Sequence, residues 1–246
     1  MDLKERLLLE ESIGIKGWDF SNIEGKYEQE ELPWDYKEIV CSYLKKDMKI
    51  LDMDTGGGEF LLSLNHPYEY ISAIEAYEPN IKLCKEKLLP LGINFKEYHD
   101  DIPFEDESFD IIINRHGSYD IYEIKRWWKK GGLFITQQVG EDNDYELVQK
   151  VLPNTPKSFP GMNLNNQRTK FEQANFKIIN SQEFYGSIKF FDIGAFVWFA
   201  SIIKWEFVDF SVEKCFDRLL IINNEIEKKG YVEGKIHRYL IISQKN

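Results

Sequence analysis

The feature that most constrains the fold is an alternation of short apolar segments with helix-patterned segments between residues 36 and 137. The apolar segments, each of strand length, read KILDMD, YISAIEA, INFKEYH, FDIIINR and LFITQQV. The segment FDIIINR has a continuous apolar run, which is typical of a strand that is covered on both faces. Strands that alternate with helices predict a parallel sheet with right-handed crossover connections.

A glycine loop follows the first of these strands. The stretch KILDMDTGGGEF, residues 49–60, runs from a buried strand through three glycines directly into a helix. Glycines let the backbone turn sharply and approach a ligand, and the start of a helix presents unpaired N–H groups. The next strand ends in Glu75, where a carboxylate can accept both hydroxyls of a ribose. No lysine follows the glycines, which excludes a phosphate-binding P-loop, and the spacing differs from the GxGxxG of nicotinamide dehydrogenases.

These motifs resemble those of the class I S-adenosylmethionine-dependent methyltransferases. The stretch ILDMDTGGGEFLL resembles motif I of that family, and AIEAYEPNIKLCKEKL resembles its second motif. The stretches DDIPFEDESFDIIINR and WWKKGGLFITQQ resemble the blocks before its fourth and fifth strands. The resemblance covers residues 36–140 and, more loosely, the tail. It implies an α/β, doubly wound, Rossmann-like sheet of seven mostly parallel strands with the last strand antiparallel, plus N-terminal and inserted cap segments.

The resemblance also predicts the organisation of the chain. We expect a single methyltransferase domain over residues 1–246, with an N-terminal cap at 1–35 and a cofactor-binding half at 36–140. Residues 141–246 are expected to supply a substrate cap and the C-terminal strands. Phe190, Phe191, Phe196, Trp198 and Trp205 in that region are individually expected in the core, and as a group they indicate an apolar pocket.

The resemblance implies S-adenosyl-L-methionine as the cofactor, with S-adenosyl-L-homocysteine as its product, and assigns residues to its parts. The glycine loop would hold the methionine part, Glu75 the ribose, and Ala76 and Tyr77 the adenine, although Tyr77 is equally compatible with a core or surface position. Asp100 or Asp101 would accept from the adenine amino group; the spacing to the IPF block leaves both open, and we lean slightly to Asp101. The predicted cofactor-binding residues are Asp52, Asp54, Thr55, Gly56, Gly57, Gly58, Glu75, Ala76, Tyr77, Asp100, Asp101 and Asn114.

Asp54 departs from the family pattern because it takes the position of the first glycine. A carboxylate there either repels the carboxylate of the cofactor's methionine or forms an ion pair with its amino group. Aspartate adopts unusual backbone angles more readily than most residues, which favours tolerance. Repulsion would instead make the chain a non-catalytic S-adenosylmethionine-binding protein, a sensor or scaffold.

Candidates for the acceptor side follow the predicted fourth strand. Transfer from a sulfonium requires mainly alignment of nucleophile, methyl and sulfur, and a base only when the acceptor must lose a proton. His116 is the candidate base, and a hydrogen bond to a loop carbonyl is an equally supported role. Arg115 either binds an acidic substrate or pairs with a local carboxylate, and Tyr119 either lines the pocket or packs at a helix cap.

Charge and cysteine content restrict the partners. A net charge of -11 disfavours nucleic acid and argues against the alternative of a ribosomal RNA base methyltransferase, which would also carry an N-terminal cysteine cluster. Cys41, Cys84 and Cys215 form no CxxC pair, so we expect neither a disulfide framework nor a metal.

No window is apolar enough for a bilayer, and the first residues do not fit a signal peptide. We therefore expect a cytoplasmic enzyme with a small-molecule substrate, whose acceptor atom and oligomeric state the sequence leaves open.

Overall fold

The structure is a computed structural model, and it describes residues 1–15, 19–99 and 104–246. The helices are α1 (Leu3–Ser12), α2 (Tyr36–Tyr43), α3 (Glu59–Ser63), α4 (Glu78–Lys87), α5 (Ile121–Trp127), α6 (Tyr145–Val151), α7 (Leu164–Gln173), α8 (Ile193–Ile202) and α9 (Val212–Lys229). The strands are β1 (Tyr27–Gln29), β2 (Ile50–Met53), β3 (Ile71–Glu75), β4 (Asn94–Glu97), β5 (Phe109–Arg115), β6 (Trp128–Val139), β7 (Phe176–Phe190) and β8 (Val232–Lys245).

The strands lie in one sheet in the order β1-β7-β8-β6-β5-β2-β3-β4. Strands β2 to β6 pair in parallel, whereas β8 runs antiparallel to β6. The predicted α/β class, the mostly parallel sheet and the antiparallel last strand are confirmed. The predicted count of seven strands is wrong, because β1 pairs antiparallel with residues 188–190 of β7 and adds an eighth strand. Three residues are too few to show an alternating pattern, so only the pairing with β7 reveals this strand.

The chain divides into two compact units. Unit 1 comprises Met1–Leu32, Gly140–Gly161 and Phe184–His237, and unit 2 comprises Pro33–Val139, Met162–Glu183 and Arg238–Asn246. Every predicted site residue that the structure describes belongs to unit 2.

Unit 1 has its own apolar core around α8. The sequence of this helix, IGAFVWFASI, is apolar on all sides, and a helix of that kind is stable only when it is buried. Phe190, Phe196 and Trp198 are buried in this core, while Phe191 and Trp205 remain 39% and 44% exposed. Most of the aromatic residues in this part of the chain therefore pack in the core of unit 1.

Unit 2 is covered on both faces of its sheet. Ile50 and Ile111 belong to one apolar cluster, whereas the adjacent Leu51 and Ile112 belong to another. Successive residues of a strand point to opposite faces, so the two clusters lie on the two sides of the sheet. Helices α2, α3 and α4 contribute to the first cluster, and α5 and α7 to the second.

The helix before β6 ends earlier than the sequence predicts. The stretch YDIYEIKRWWKKGG has a pattern that predicts one helix leading to a glycine turn, but α5 ends at Trp127 and Trp128 begins β6 opposite Phe109. Both indoles are fully buried. Pairing with β5 therefore overrides the helical pattern at the second tryptophan.

Among the described helices, none combines the length and the apolar character that a bilayer span requires.

Candidate functional site

The predicted site residues converge on the carboxyl ends of three neighbouring parallel strands. Met53, the last residue of β2, is level with Ile74 in β3 and with Asn114 in β5. The chain adds β3 and β4 on one side of β2 and then crosses to add β5 on the other. Ligands of open α/β sheets bind at such a reversal of strand order, outside the carboxyl ends of the strands.

The glycine loop is held to this edge by hydrogen bonds. Thr55 donates its backbone N–H to the carbonyl of Ile74 at 3.2 Å and its hydroxyl to Oδ2 of Asp52 at 2.6 Å. Gly56 and Gly58 have φ angles of 64° and 81°, which side-chain-bearing residues rarely adopt. A Cβ at Gly58 would lie 2.8 Å from Leu88, whereas one at Gly56 would meet nothing within 4 Å. Gly58 therefore serves close packing, and Gly56 lies beside open space.

Glu75 joins the end of β3 to the glycine loop. Its buried carboxylate accepts the backbone N–H of Gly56 on Oε2 at 2.8 Å, and those of Ala76 and Tyr77 on Oε1 at 2.9 Å each. The side-chain amide of Asn80 donates to Oε2 at the longer distance of 3.3 Å. These four donors fill the acceptor capacity of a carboxylate.

Two more acids lie at the end of β2. Burial raises the pKa of Asp52 to about 7; the Thr55 hydroxyl and the charge of Arg115 oppose this shift. Burial and the neighbouring charge of Glu75 raise the pKa of Asp54 to about 6. The end of β2 and the start of the glycine loop therefore carry two carboxyl groups whose pKa values are raised toward neutral pH.

Asn114 is fully buried at the end of β5, where a polar network fixes it. Its Nδ2 donates to the carbonyl of Met53 at 3.3 Å, and its Oδ1 accepts from Nε2 of Gln138 at 2.5 Å and from the Thr136 hydroxyl at 3.4 Å. We did not predict a role for Thr136 or Gln138. A signal was present, since TQQ places polar residues in a strand that is otherwise apolar, and buried polar groups require partners.

His116 lies in a second polar chain. Trp34 donates its indole N–H to Oε1 of Gln137 at 2.8 Å, and Nε2 of Gln137 lies 3.0 Å from Nε2 of His116. This chain assigns the proton of the neutral imidazole to Nδ1, because Gln137 donates to the other nitrogen. Loss of water, and then the charges of Arg238 and Arg115, lower the pKa of His116, so its ring is neutral at pH 7. The residue nevertheless keeps exposed surface, and its φ is 67°.

The remaining predicted residues divide between the surface and the core. Arg115 is exposed, and its guanidinium carbon lies 4.5 Å from the centre of the Phe60 ring. Ala76 and Tyr77 are exposed beside the end of β3. The Tyr119 ring packs edge-on against Phe134 at 5.1 Å between ring centres, so it lies in an apolar cluster.

Asp100 and Asp101 lie outside the described residues. Within the described ranges, no group of three or more His, Cys, Asp or Glu side chains is arranged to hold a metal ion.

The parallel sheet, the glycine loop at its switch point and the carboxylate at the end of β3 define an α/β domain of the nucleotide-cofactor-binding class. Residues 51–136 match the family model described as a methyltransferase domain. The predicted resemblance to class I S-adenosylmethionine-dependent methyltransferases is thereby confirmed over these residues.

A curated relative and two solved structures are similar to this chain. The phthiotriol/phenolphthiotriol dimycocerosates methyltransferase of Mycobacterium tuberculosis is 28% identical over 109 residues, which are 41% of this chain and 40% of that protein. The chain thus matches well under two thirds of that relative's length.

A putative methyltransferase from Bacillus halodurans superposes with a TM-score of 0.57 at 18% identity, over 86% of this chain and 98% of that one. A putative sarcosine dimethylglycine methyltransferase from Galdieria sulphuraria gives a TM-score of 0.51 at 18% identity, over 85% and 83% of the two chains. At these identities the two structures show a common fold.

Proposed function

We propose that this protein transfers a methyl group from S-adenosylmethionine to a small-molecule acceptor at the carboxyl edge of β2, β3 and β5. The observation that carries the proposal is the Glu75 carboxylate, which ends β3 and is joined to the glycine loop through the N–H of Gly56. A buried carboxylate in this place, beside a glycine loop, suits a ribose whose neighbouring groups extend along the loop.

The residues present fit such a cofactor. Three of the four donors to Glu75 are backbone N–H groups, and the fourth, the Asn80 amide, makes the longest bond at 3.3 Å. A ribose hydroxyl can take the place of Asn80 without disturbing the backbone. Gly56 adds open space beside the same carboxylate, because a Cβ there would meet nothing within 4 Å.

We assign the parts of the site as the resemblance implies. The loop from Asp52 to Gly58 holds the methionine part, Glu75 the ribose, and Ala76 and Tyr77 the adenine, with Asp100 or Asp101 at the adenine amino group. S-adenosylmethionine supplies the activated sulfonium methyl. The protein contributes alignment, and Asn114 supports this role because Met53, Thr136 and Gln138 hold its side chain in one orientation.

On the acceptor side, we propose that Arg115 binds an anionic group of the substrate. Its guanidinium stacks on Phe60, and within the described part of the chain no carboxylate forms a salt bridge with it. An arginine that keeps its donors available, beside an aromatic ring, favours a carboxylate or phosphate ligand. We retain His116 as the candidate base, because its ring is neutral. To accept the proton of the methyl acceptor, Nε2 of His116 must first give up its hydrogen bond from Gln137.

Cofactor binding tests the first part of the proposal. Isothermal titration with S-adenosylhomocysteine should show binding to the wild type, a loss of at least about tenfold in Glu75→Ala, equivalent to about 1.4 kcal/mol, and little change in Glu78→Ala. Glu78 is a matched control because it is an exposed glutamate three residues further along, at the start of α4. Absence of binding at millimolar cofactor would contradict the proposal.

A methyl-transfer assay tests the part of the proposal that concerns the acceptor. Radiolabelled S-adenosylmethionine should label acidic small molecules in preference to their neutral amides, and the preference should be lost in Arg115→Gln but kept in Arg168→Gln. Arg168 is a suitable control because it is exposed on α7, where it pairs with Glu172. The acceptor panel should also include a phthiotriol dimycocerosate, after the name of the mycobacterial relative. Cofactor binding without transfer to any acceptor would instead support the non-catalytic alternative.

A further inference from the structure

We propose that Asp54 is a positioning residue that ties the glycine loop to the loop after β5, and that Gly117 provides the space its carboxylate occupies. The inference rests on the proposed function only for its cofactor-binding readout. The tie itself is a property of unit 2 and can be measured without any ligand.

The first observation is the closeness of Asp54 to Gly117. A Cβ built on Gly117 would lie 2.1 Å from Oδ2, 2.5 Å from Cβ and 2.7 Å from Cγ of Asp54. The backbone of Gly117 does not adopt a positive φ, so its own conformation would accept a side chain. The requirement for glycine at this position therefore comes from the Asp54 side chain, which occupies the volume that a methyl group would need.

The second observation is that the loop after β5 is held from two sides. The backbone N–H of Ser118 faces the Asp54 carboxylate and opposes the rise of its pKa, and the side-chain amide of Gln138 donates to the carbonyl of Gly117 at 3.1 Å. Gln138 also holds Asn114, so the end of β5 and the loop that follows it share one set of contacts. Asp54 connects this set to the glycine loop.

The third observation is backbone strain on both sides of the tie. Asp54 has a φ of 55° and His116 a φ of 67°, and both residues carry side chains. Such conformations persist where surrounding contacts impose them, and they concentrate at functional sites. The contacts of Asp54 with Gly117 and Ser118 are contacts of this kind.

Asp54 stands where motif I has its first glycine. The Asp54 carboxylate packs against Gly117, and the nearby backbone N–H of Ser118 opposes the effect of the Glu75 charge on its pKa. We infer that aspartate at this position supports the site, because the tie fixes the loop that begins with His116, directly after Arg115, against the loop that contains Gly56.

A double-mutant cycle tests the tie. Gly117→Ala places a methyl on the Asp54 carboxylate, and we expect it to weaken S-adenosylhomocysteine binding about tenfold and to lower the urea midpoint. In the Asp54→Gly background the methyl has room, so adding Gly117→Ala should change the dissociation constant by less than about twofold. Gly14→Ala is the control, because Gly14 also lacks a positive φ and a Cβ there would meet nothing within 4 Å.

Conservative replacement distinguishes positioning from bulk stability. Asparagine keeps the shape of the side chain and an oxygen that can face the Ser118 N–H, and it tolerates a positive φ, so Asp54→Asn should bind cofactor within about threefold of the wild type. Asp54→Ala keeps neither property, and its affinity should fall about tenfold or more. Equal affinities of Asp54→Asn and Asp54→Ala would overturn the proposal, as would strictly additive effects in the cycle.

The two proposals fail separately. If wild-type protein binds neither S-adenosylmethionine nor S-adenosylhomocysteine, the proposed function fails. The cycle in urea unfolding still decides the tie: non-additive unfolding free energies for Gly117→Ala and Asp54→Gly support it, and additive ones overturn it.

Discussion

Replacement of Glu75 by glutamine tests whether this carboxylate holds the glycine loop. The amide keeps one acceptor oxygen but replaces the other by an NH₂ group that faces two donors. The less costly orientation turns the NH₂ toward Asn80 and Gly56, because the Asn80 amide can flip and present its own oxygen. The N–H of Gly56 then loses its acceptor, and the bonds from Ala76 and Tyr77 lose the assistance of a charge.

The magnitude follows from this count. One charge-assisted bond is worth about 1.5–3 kcal/mol, and weakening two others raises the total loss of unfolding free energy to about 2–4 kcal/mol. For a chain of this size that loss lowers the melting temperature by about 4–16 °C.

The assay is thermal and urea unfolding followed by circular dichroism, with Glu78→Gln as the matched control. Glu78 is exposed at the start of α4, so its replacement should change the unfolding free energy by less than about 0.5 kcal/mol. If Glu75→Gln unfolds at the same temperature as Glu78→Gln, the hydrogen bonds of Glu75 do not hold the loop and the reasoning is refuted.

Three further substitutions give distinct expectations. Burial raises the pKa of Asp52 to about 7 from 3.8, so between these pH values the folded state retains a proton that the unfolded chain releases. The wild type therefore loses stability as the pH rises from 3.8 to about 7. Asp52→Asn should gain stability relative to wild type from pH 4 to pH 8 in urea titrations. Gly58→Ala combines a φ of 81° with a Cβ 2.8 Å from Leu88, and should lower the unfolding free energy by about 2–4 kcal/mol. Tyr36→Phe removes a buried hydroxyl that donates to Ile135 at 2.8 Å, and calorimetric unfolding should show a loss of about 1 kcal/mol.

Matched controls make these expectations refutable. Asp47→Asn removes an exposed carboxylate, so an equal pH response in Asp47→Asn and Asp52→Asn would exclude Asp52 as the source. Gly131→Ala carries the strain of a φ of 77° with nothing within 4 Å, so it should cost less than Gly58→Ala. Tyr122→Phe alters an exposed ring, and a loss as large as that in Tyr36→Phe would contradict the role of the buried bond.

Local sequence patterns predicted the central strands of unit 2 well, because these strands are short and strongly patterned. The continuous apolar run of β5 requires burial on both faces, and the structure places Ile111 and Ile112 in opposite clusters. The pattern failed where pairing with a distant strand decides the conformation. Trp128 continues a helical pattern but pairs with Phe109 in the sheet, and β1 exists only through its pairing with β7.

The candidate site was predictable for a similar reason. Glu75 and the glycines occupy fixed places relative to strand ends, and parallel strands bring those ends to one edge. The contacts among side chains were not predictable, since Trp34, Gln137 and His116 meet only because β5, β6 and the segment before α2 converge.

The sequence by itself determined the α/β class, the residues that stand at the ends of the central strands and the chemical type of the loop. These features depend on spacing along the chain. Only the tertiary structure decided the role of Asp54. In the sequence, Asp54 replaces a glycine, and its carboxylate could either repel the carboxylate of the cofactor's methionine or pair with its amino group. The structure places its carboxylate over Gly117 and against the N–H of Ser118, 64 residues further along the chain by their numbers. Contacts at that separation arise from the pairing of β2 with β5, and no local pattern encodes them.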